Sequence, residues 1–203
     1  MSVLIACGML AAMAIAGTAA ASATVLCKTN TTPCSEKYAA GTTLSGSLAS
    51  GTSIKFISNS LETVYTCTGG GISGKIEAAG SSSETARISL PATSVTWSGC
   101  VWPITTVKAG EMEVHWVPGS VNGNAKLKGL EISVDTSSIG FGTCNYAAEP
   151  GISMGTVTGG VGPTVDVSVL LSLTGGNFSC TKPLRWQATY ALTSPSPLYV
   201  RES

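Results

Sequence analysis

The chain has 203 residues, of which 24 are glycine, and its 11 basic and 11 acidic residues leave no net charge. Only 11% of its residues are charged, against about a quarter in ordinary soluble domains. This composition excludes nucleic acid and anionic lipid as partners recognised through phosphate, because such binding depends on clustered lysine and arginine.

The N-terminal segment has the pattern of a signal peptide. An uncharged apolar run spans residues 3–16, and small residues after it offer A-x-A cleavage sites that end at Ala21 or Ala23. The run is shorter than the roughly 20 residues that a membrane-crossing helix needs. We therefore predict a signal peptide over residues 1–23 and no stable membrane span after cleavage.

One alternative for this segment is a lipoprotein cleavage box at LIAC, which ends at Cys7. The apolar run should precede such a cysteine, whereas here most of it follows, so the signal peptide is the preferred interpretation. We predict that the protein is secreted and that it is either extracellular or associated with the cell envelope. No composition break divides residues 24–203, which are predicted to form a single domain.

Six cysteines follow residue 23, an even number that suits an oxidising compartment. They allow several connectivities, and sequential pairing is expected because it requires the fewest long crossings in a strand meander. The expected disulfides are Cys27 with Cys34, Cys67 with Cys100, and Cys144 with Cys180. No C-x-x-C pair occurs and the chain has one histidine, so we predict no metal site and no cofactor.

Period-two alternation predicts short strands in the segments SIKFIS, ETVYTC, TARISL, TSVTW and PITTVKA. Between the second and third of these, GGGISGKI begins at Gly69 and has the glycine and lysine spacing of a phosphate-binding loop. Ile76 stands where that loop needs serine or threonine, and no helix is predicted to follow. The glycines are therefore predicted to form a turn and a bulge.

The segment GEMEVHWV supplies the candidate catalytic residues. If it is a strand, alternate side chains face the same way, and two carboxylates and the only imidazole form one polar row: Glu111, Glu113 and His115. Such a row could serve acid–base chemistry, since inverting glycosidases hold two carboxyls about 6.5 to 9.5 Å apart. The favoured interpretation is a solvated outer face, because glycosidases place their carboxyls on opposite sides of the scissile bond.

Three of the four tryptophans lie close together in the sequence, at Trp97, Trp102 and Trp116. Trp97 and Trp116 fall on predicted apolar strand faces and are expected to pack near Cys100. Trp102 precedes a proline and is predicted to lie in a turn. An exposed Trp102 would be a candidate platform for stacking a sugar ring.

Two features in the middle of the chain concern single residues. Alternation around Leu127 restarts at Leu130, so Gly129 is predicted to be a β-bulge that resets the strand faces. The pentapeptide GISMG matches G-x-S-x-G with Ser153 as a nucleophile, but that motif needs a following helix and a histidine later in the chain. Neither is predicted, so a serine hydrolase is disfavoured.

The last third of the chain contains the clearest strands. In TVDVSVLLSLT and LRWQATYALT every second residue is apolar, and Trp186 belongs to the predicted buried face of the second segment. Asn30 and Asn177 lie in N-x-S/T sequons, which matter only in a host that glycosylates them.

Four segments, CKTNTTPC, YAAGTTLSGSL, TWSGC and WQATYALTSPSPLYV, resemble a group of uncharacterised secreted proteins of high-GC bacteria. The similar motifs are cysteines, tight turns and strand-face aromatics. The resemblance implies an exported all-β protein and carries over no activity.

These patterns predict an all-β protein with about ten short antiparallel strands, arranged as a β-sandwich stapled by about three disulfides, with a jelly roll as one possible topology. The favoured function is a secreted, non-catalytic binding or structural module of the cell envelope or extracellular space, with a glycan or a protein as partner. The alternative is a secreted carbohydrate-active hydrolase that uses Glu111 and Glu113.

Overall fold

The computed structural model describes residues 23–108, 110–149 and 152–203, and for Ile152, Ser153 and Met154 it describes the backbone only. The predicted signal peptide and the alternative lipoprotein box therefore lie outside the described residues, apart from Ala23.

The described residues form fifteen β-strands and one 3-10 turn, and every strand pairing is antiparallel. The predicted all-β sandwich is confirmed, although the strands outnumber the ten expected. Their bounds are β1 Thr24–Cys27, β2 Thr43–Leu48, β3 Ile54–Ser58, β4 Thr63–Ala78, β5 Ala86–Leu90, β6 Val95–Cys100, β7 Ile104–Lys108, β8 Gly110–Trp116, β9 Gly123–Lys128, β10 Glu131–Asp135, β11 Thr143–Ala148, β12 Ile152–Thr158, β13 Thr164–Gly175, β14 Leu184–Ser194 and β15 Tyr199–Glu202.

Strand pairing runs in a closed circuit around the core. From β4 it passes through β5, β8, β9, β12, β13 and β14, and it returns to β4 through both β2 and β3. The strands β11, β10 and β7 extend the sheet from the other half of β13, while β6 pairs with β4. The long strands β4, β13 and β14 each pair with three or more other strands and so connect the parts of the sheet.

The glycines at residues 69–71 lie inside a strand, so the predicted turn is wrong. Strand β4 runs through them and pairs with β2 on one edge and β6 on the other. A Cβ atom at Gly70 would lie 2.4 Å from the carbonyl oxygen of Thr96, and one at Gly71 would lie 2.8 Å from that of Gly46. Glycine is needed here because neighbouring backbones approach too closely for any side chain.

The predicted bulge at Gly129 is also wrong, although the change of faces is correct. Gly129 has a φ of +77° and lies between two separate strands, β9 and β10. Strand β9 pairs with β8 and β12, whereas β10 pairs with β7 and β11. Leu127 is buried on β9, whereas Leu130 is buried in the connection just before β10, and this turn resets the faces.

An aromatic chain crosses the core. Trp186, which is fully buried on β14, packs edge-to-face against Trp97 and Tyr190 with ring centroids 5.2 and 6.3 Å apart. Phe56 contacts Trp97 at 5.5 Å and continues the chain toward Tyr65. The alternation in LRWQATYALT correctly predicted which face of β14 is buried.

The two ends of the sandwich differ. At the end that we call the ribbon end, β1 and β15 pair as a two-stranded ribbon, and the backbone N–H of Leu26 and of Val200 bonds to the loops after β4 and β8. The opposite end, which we call the tip end, consists of the turns that join β3 to β4, β6 to β7, β10 to β11 and β13 to β14: 59–62, 101–103, 136–142 and 176–183.

Three disulfides join the six cysteines in the predicted sequential order, with S–S distances of 2.07, 2.03 and 2.02 Å. The first, Cys27–Cys34, closes a loop at the ribbon end. The other two lie at the tip end, where Cys67–Cys100 joins β4 to β6 and Cys144–Cys180 joins β11 to the turn after β13. Each closed loop restricts the unfolded chain and so stabilises the fold.

Replacing Trp186 by alanine is expected to lower the free energy of unfolding by about 3 to 5 kcal/mol, since it empties the centre of the aromatic chain. Denaturant unfolding followed by circular dichroism measures the change. The control is Phe178→Ala, because Phe178 is 95% exposed and its loss leaves the core intact. Equal midpoints for the two variants would contradict this description of the core.

Candidate functional site

The predicted polar row lies on β8, between β5 and β9. Met112 and Val114 are buried, and the side chains between and beside them face outward in a partly exposed row: Glu111, Glu113 and His115. The arrangement that strand alternation predicted is therefore present.

Basic side chains from the flanking strands surround this row. Lys128 of β9 lies directly opposite Glu111, and its Nζ is 2.5 Å from Oε1 of Glu113. Arg87 of β5 lies opposite Glu113, and its Nη1 is 3.5 Å from Oε2 of Glu111. His115 Nε2 is 3.8 Å from Glu113 Oε2. Each carboxylate therefore has a cationic partner across the sheet.

This pairing holds Glu113 in its ionised form. The hydrogen bond from Lys128 lowers the pKa of the Glu113 carboxyl, and this effect outweighs the partial burial that would raise it. The same contact raises the pKa of Lys128. A general acid needs a carboxyl whose pKa is raised toward the working pH. The charges around Glu113 lower the pKa of its carboxyl instead, so they do not favour a general acid.

Other groups with acid–base or metal-binding potential lie apart from this row. Burial raises the pKa of Tyr190 and of Tyr146, so both stay neutral phenols at physiological pH. Among the residues that the structure describes, no three histidine, cysteine, aspartate or glutamate side chains are grouped closely enough to hold a metal ion.

Trp102 lies in the turn after β6, as predicted, but its ring is only partly exposed. It packs edge-to-face on Tyr65, with centroids 5.0 Å apart. Trp97 is close to the core, whereas Trp116 lies at the ribbon end, where its Nε1 donates to the carbonyl oxygen of Ser120. The expectation that Trp116 packs near Cys100 is therefore wrong, because the two lie at opposite ends of the sandwich.

The motif around Ser153 has the backbone of a strand. Residues Ile152–Thr158 form β12, with an irregular register between Ser153 and Gly155. A nucleophile elbow requires a sharp turn from a strand into a helix. The strand instead continues to Thr158, so this local structure does not provide the elbow.

A polar groove on the outer face was missed by the sequence analysis. It has a volume of about 390 Å³ and lies on β3, β13 and β14 and on the connection before β3. Lys55 is directly opposite Gln187, and Asp166 is directly opposite Thr189. Its remaining lining residues are Gly51, Thr52, Ser53, Val167 and Ala188.

The groove combines complementary hydrogen-bonding groups on a paired strand scaffold. Asp166 accepts a hydrogen bond of 2.7 Å from Thr189 Oγ1, which orients one carboxylate oxygen. Lys55 can only donate, the Asp166 carboxylate can only accept, and Gln187 can do both. No sequence motif marks these residues, since they come together only when β3 pairs with the β13–β14 hairpin, which is distant from it in sequence.

Comparison with known proteins gives no relative. No family model matches the chain, and neither the curated proteins nor the solved structures contain a significant match. In the described part of the chain, no helix has the length and apolar character to cross a membrane.

Glu113→Gln is expected to lower the melting temperature by about 1 to 3 °C at neutral pH. A pKa that is lowered on folding contributes stability above the unfolded pKa, and this stability is lost as the pH falls through the folded pKa. The difference from the parent should therefore begin to shrink near the unfolded glutamate pKa of about 4.3 and vanish only below the lowered folded pKa. Thermal unfolding over a pH series measures it.

The matched control is Glu77→Gln, which changes an exposed strand glutamate that joins none of the ion pairs found among the described residues. It should leave the melting temperature unchanged. A Glu113→Gln effect that stays constant across the pH series would show that the ion pair is not its cause.

Proposed function

We propose that the protein is an exported, non-catalytic binding or structural module of the cell envelope or extracellular space, and that its ligand is a glycan. The observation that carries this proposal is the polar groove on β3, β13 and β14, where Lys55, Asp166 and Gln187 offer complementary hydrogen-bonding groups. The three disulfides support an oxidising compartment.

The chemistry of the groove suits a polyhydroxylated ligand. A sugar hydroxyl both donates and accepts, so it can bridge a donor such as Lys55 and an acceptor such as Asp166. The groove lies on an outer strand face, which leaves room for a chain longer than the groove itself. Backbone pairing on both sides of β14 keeps Gln187 and Thr189 in place, which reduces the entropy cost of binding.

The alternative, a carbohydrate hydrolase based on Glu111 and Glu113, has less support. Glu113 is bound to Lys128, and Glu111 is paired with Arg87. Both carboxylates also stand in one row on one strand, rather than on two sides of a bound sugar. The row is better explained as a cross-strand ion-pair network that stabilises the outer face.

The double variant Lys55→Ala/Gln187→Ala tests the binding proposal. The parent protein should be retained on insoluble polysaccharide, with cellulose, chitin and purified bacterial cell wall as the probes. The variant should bind the retaining polymer about tenfold or more weakly, because two hydrogen-bonding partners are lost. Depletion from solution at increasing polymer concentration measures the affinity.

Lys37→Ala is the matched control, since Lys37 is an exposed lysine in the loop between β1 and β2. It should bind as the parent does. Retention that is equal for the parent and the double variant would overturn the groove assignment. Failure of the parent to bind any of the three polymers would overturn the glycan as ligand.

Export is tested by intact mass of the protein from separated culture fluid and cell-envelope fractions. The expected species has lost residues 1–23 and gains about six daltons on reduction, from three disulfides. Recovery from the envelope fraction favours a wall-associated module, whereas recovery from the fluid favours a diffusible one. An uncleaved, reduced protein inside the cell would contradict the proposal.

A further inference from the structure

Exposed apolar side chains are concentrated at the tip end. Seven large hydrophobic side chains are exposed among the described residues, and five of them lie on the four tip turns: Leu61, Val101, Ile139, Phe141 and Phe178. Phe178 is 95% exposed and Leu61 is 83% exposed. Exposed apolar clusters of this kind mark interaction surfaces.

Hydrogen bonds and a disulfide fix the tip turns to the strands beside them, and Leu61 lines a small cavity together with Pro183 of the turn after β13. The backbone N–H of Asp135 bonds to the carbonyl oxygen of Pro103 at 2.9 Å, and that of Val101 bonds to Thr66 at 3.1 Å. The disulfide Cys144–Cys180 ties the beginning of β11 to the turn after β13. These bonds therefore hold in place the turns that carry the apolar side chains.

Asn177 holds the two phenylalanines in their exposed positions. Its Nδ2 donates to the carbonyl oxygen of Phe141 at 2.5 Å, and its Oδ1 accepts a hydrogen bond from the backbone N–H of Ser179 at 2.9 Å. The second bond closes a tight turn around Phe178. The side chain of Asn177 thus links the turns that carry Phe141 and Phe178.

We propose that the tip end docks on a lipid surface and inserts these apolar side chains at the level of the headgroups. The five side chains expose on the order of 500 Å² together. Permanent homodimer interfaces bury about 1,000 Å² or more on each partner, roughly 65% of it apolar, so this apolar surface is small for a dimer of two copies. A bilayer needs no matching shape, and its affinity grows with the apolar area inserted.

The charge on the tip turns identifies the type of lipid. The turns contain one acidic and one basic residue, Glu62 and Lys182, both exposed, and the exposed carboxylate of Asp135 at the end of β10 accepts a hydrogen bond from Ser137 of the adjoining turn. Binding to an anionic membrane depends on clusters of basic residues. The tip turns and the strand residue next to them carry no such cluster, so the tip end suits neutral, zwitterionic headgroups, and its binding should depend little on salt.

Co-sedimentation with phosphatidylcholine vesicles tests the proposal. The parent protein should partition onto the vesicles, and adding about one third phosphatidylglycerol or about 0.5 M salt should change the partition coefficient less than about threefold. The double variant Leu61→Ser/Phe178→Ser should partition about tenfold or more weakly. Both residues are exposed, so the variant should keep the parent melting temperature.

Val161→Ser is the matched control. Val161 is 77% exposed but lies in the turn between β12 and β13, at the ribbon end. It should partition as the parent does. Tryptophan quenching by brominated lipid reports the orientation: Trp102→Phe should remove most of the quenching, whereas Trp116→Phe, at the opposite end, should leave it in place.

Several results would overturn the proposal. They are the absence of partitioning by the parent, equal partitioning of the parent and the tip variant, and quenching that depends on Trp116. Sedimentation velocity that shows a dimer which the tip variant dissolves would assign this surface to a second copy of the chain instead. None of these results depends on glycan binding by the groove, which lies on the strand face and is tested separately.

Discussion

The close approach of backbones along β4 is the constraint on which the rest of the structure depends. This strand of sixteen residues shares each edge between two partners, β3 then β2 on one side and β6 then β5 on the other. The approach is possible only without side chains, since a Cβ atom at Gly70 or Gly74 would lie 2.4 Å from a carbonyl oxygen of the neighbouring strand. Because β4 stays continuous through these glycines, strand pairing can close around the core and the apolar faces of β4, β8 and β14 can meet inside it.

Closing the circuit leaves three kinds of outer surface, and each suits a different role. The strand faces carry polar side chains, among them the ion-pair network around Glu113 and the groove with Lys55 and Asp166. The ribbon of β1 and β15 covers one end, and all four residues of β1 are buried there. The other end consists of turns, and there the chain exposes hydrophobic side chains such as Phe178 without covering them. The groove and the tip end could therefore act at once, with a polymer held along the side and a lipid surface at the end.

Much of the strand pattern could be predicted because most strands, such as β8 and β14, have one buried face. Alternation of apolar and polar residues correctly placed Trp186 in the core and Glu113 on the outside. It failed where the backbone environment, rather than side-chain polarity, decides the structure. The glycines at 69–71 look like a turn in sequence, but they serve a strand that is crowded on both edges. Gly129 changes the strand faces by ending one strand and starting another, which the same apolar pattern cannot distinguish from a bulge.

The sequence by itself determined the all-β class and most of the buried faces, because these depend on short-range periodicity. It favoured a sequential order of the disulfides, but only the tertiary structure selected that pairing among the possible ones. Only the tertiary structure decided which distant side chains meet. Lys128 neutralises Glu113 because β8 and β9 pair in one particular register. Lys55, Asp166 and Gln187 share a groove because three separate strands lie side by side. Turns far apart in the chain come together at the tip end for the same reason: the register of long-range strand pairs is set by packing of the whole core, which no local pattern encodes.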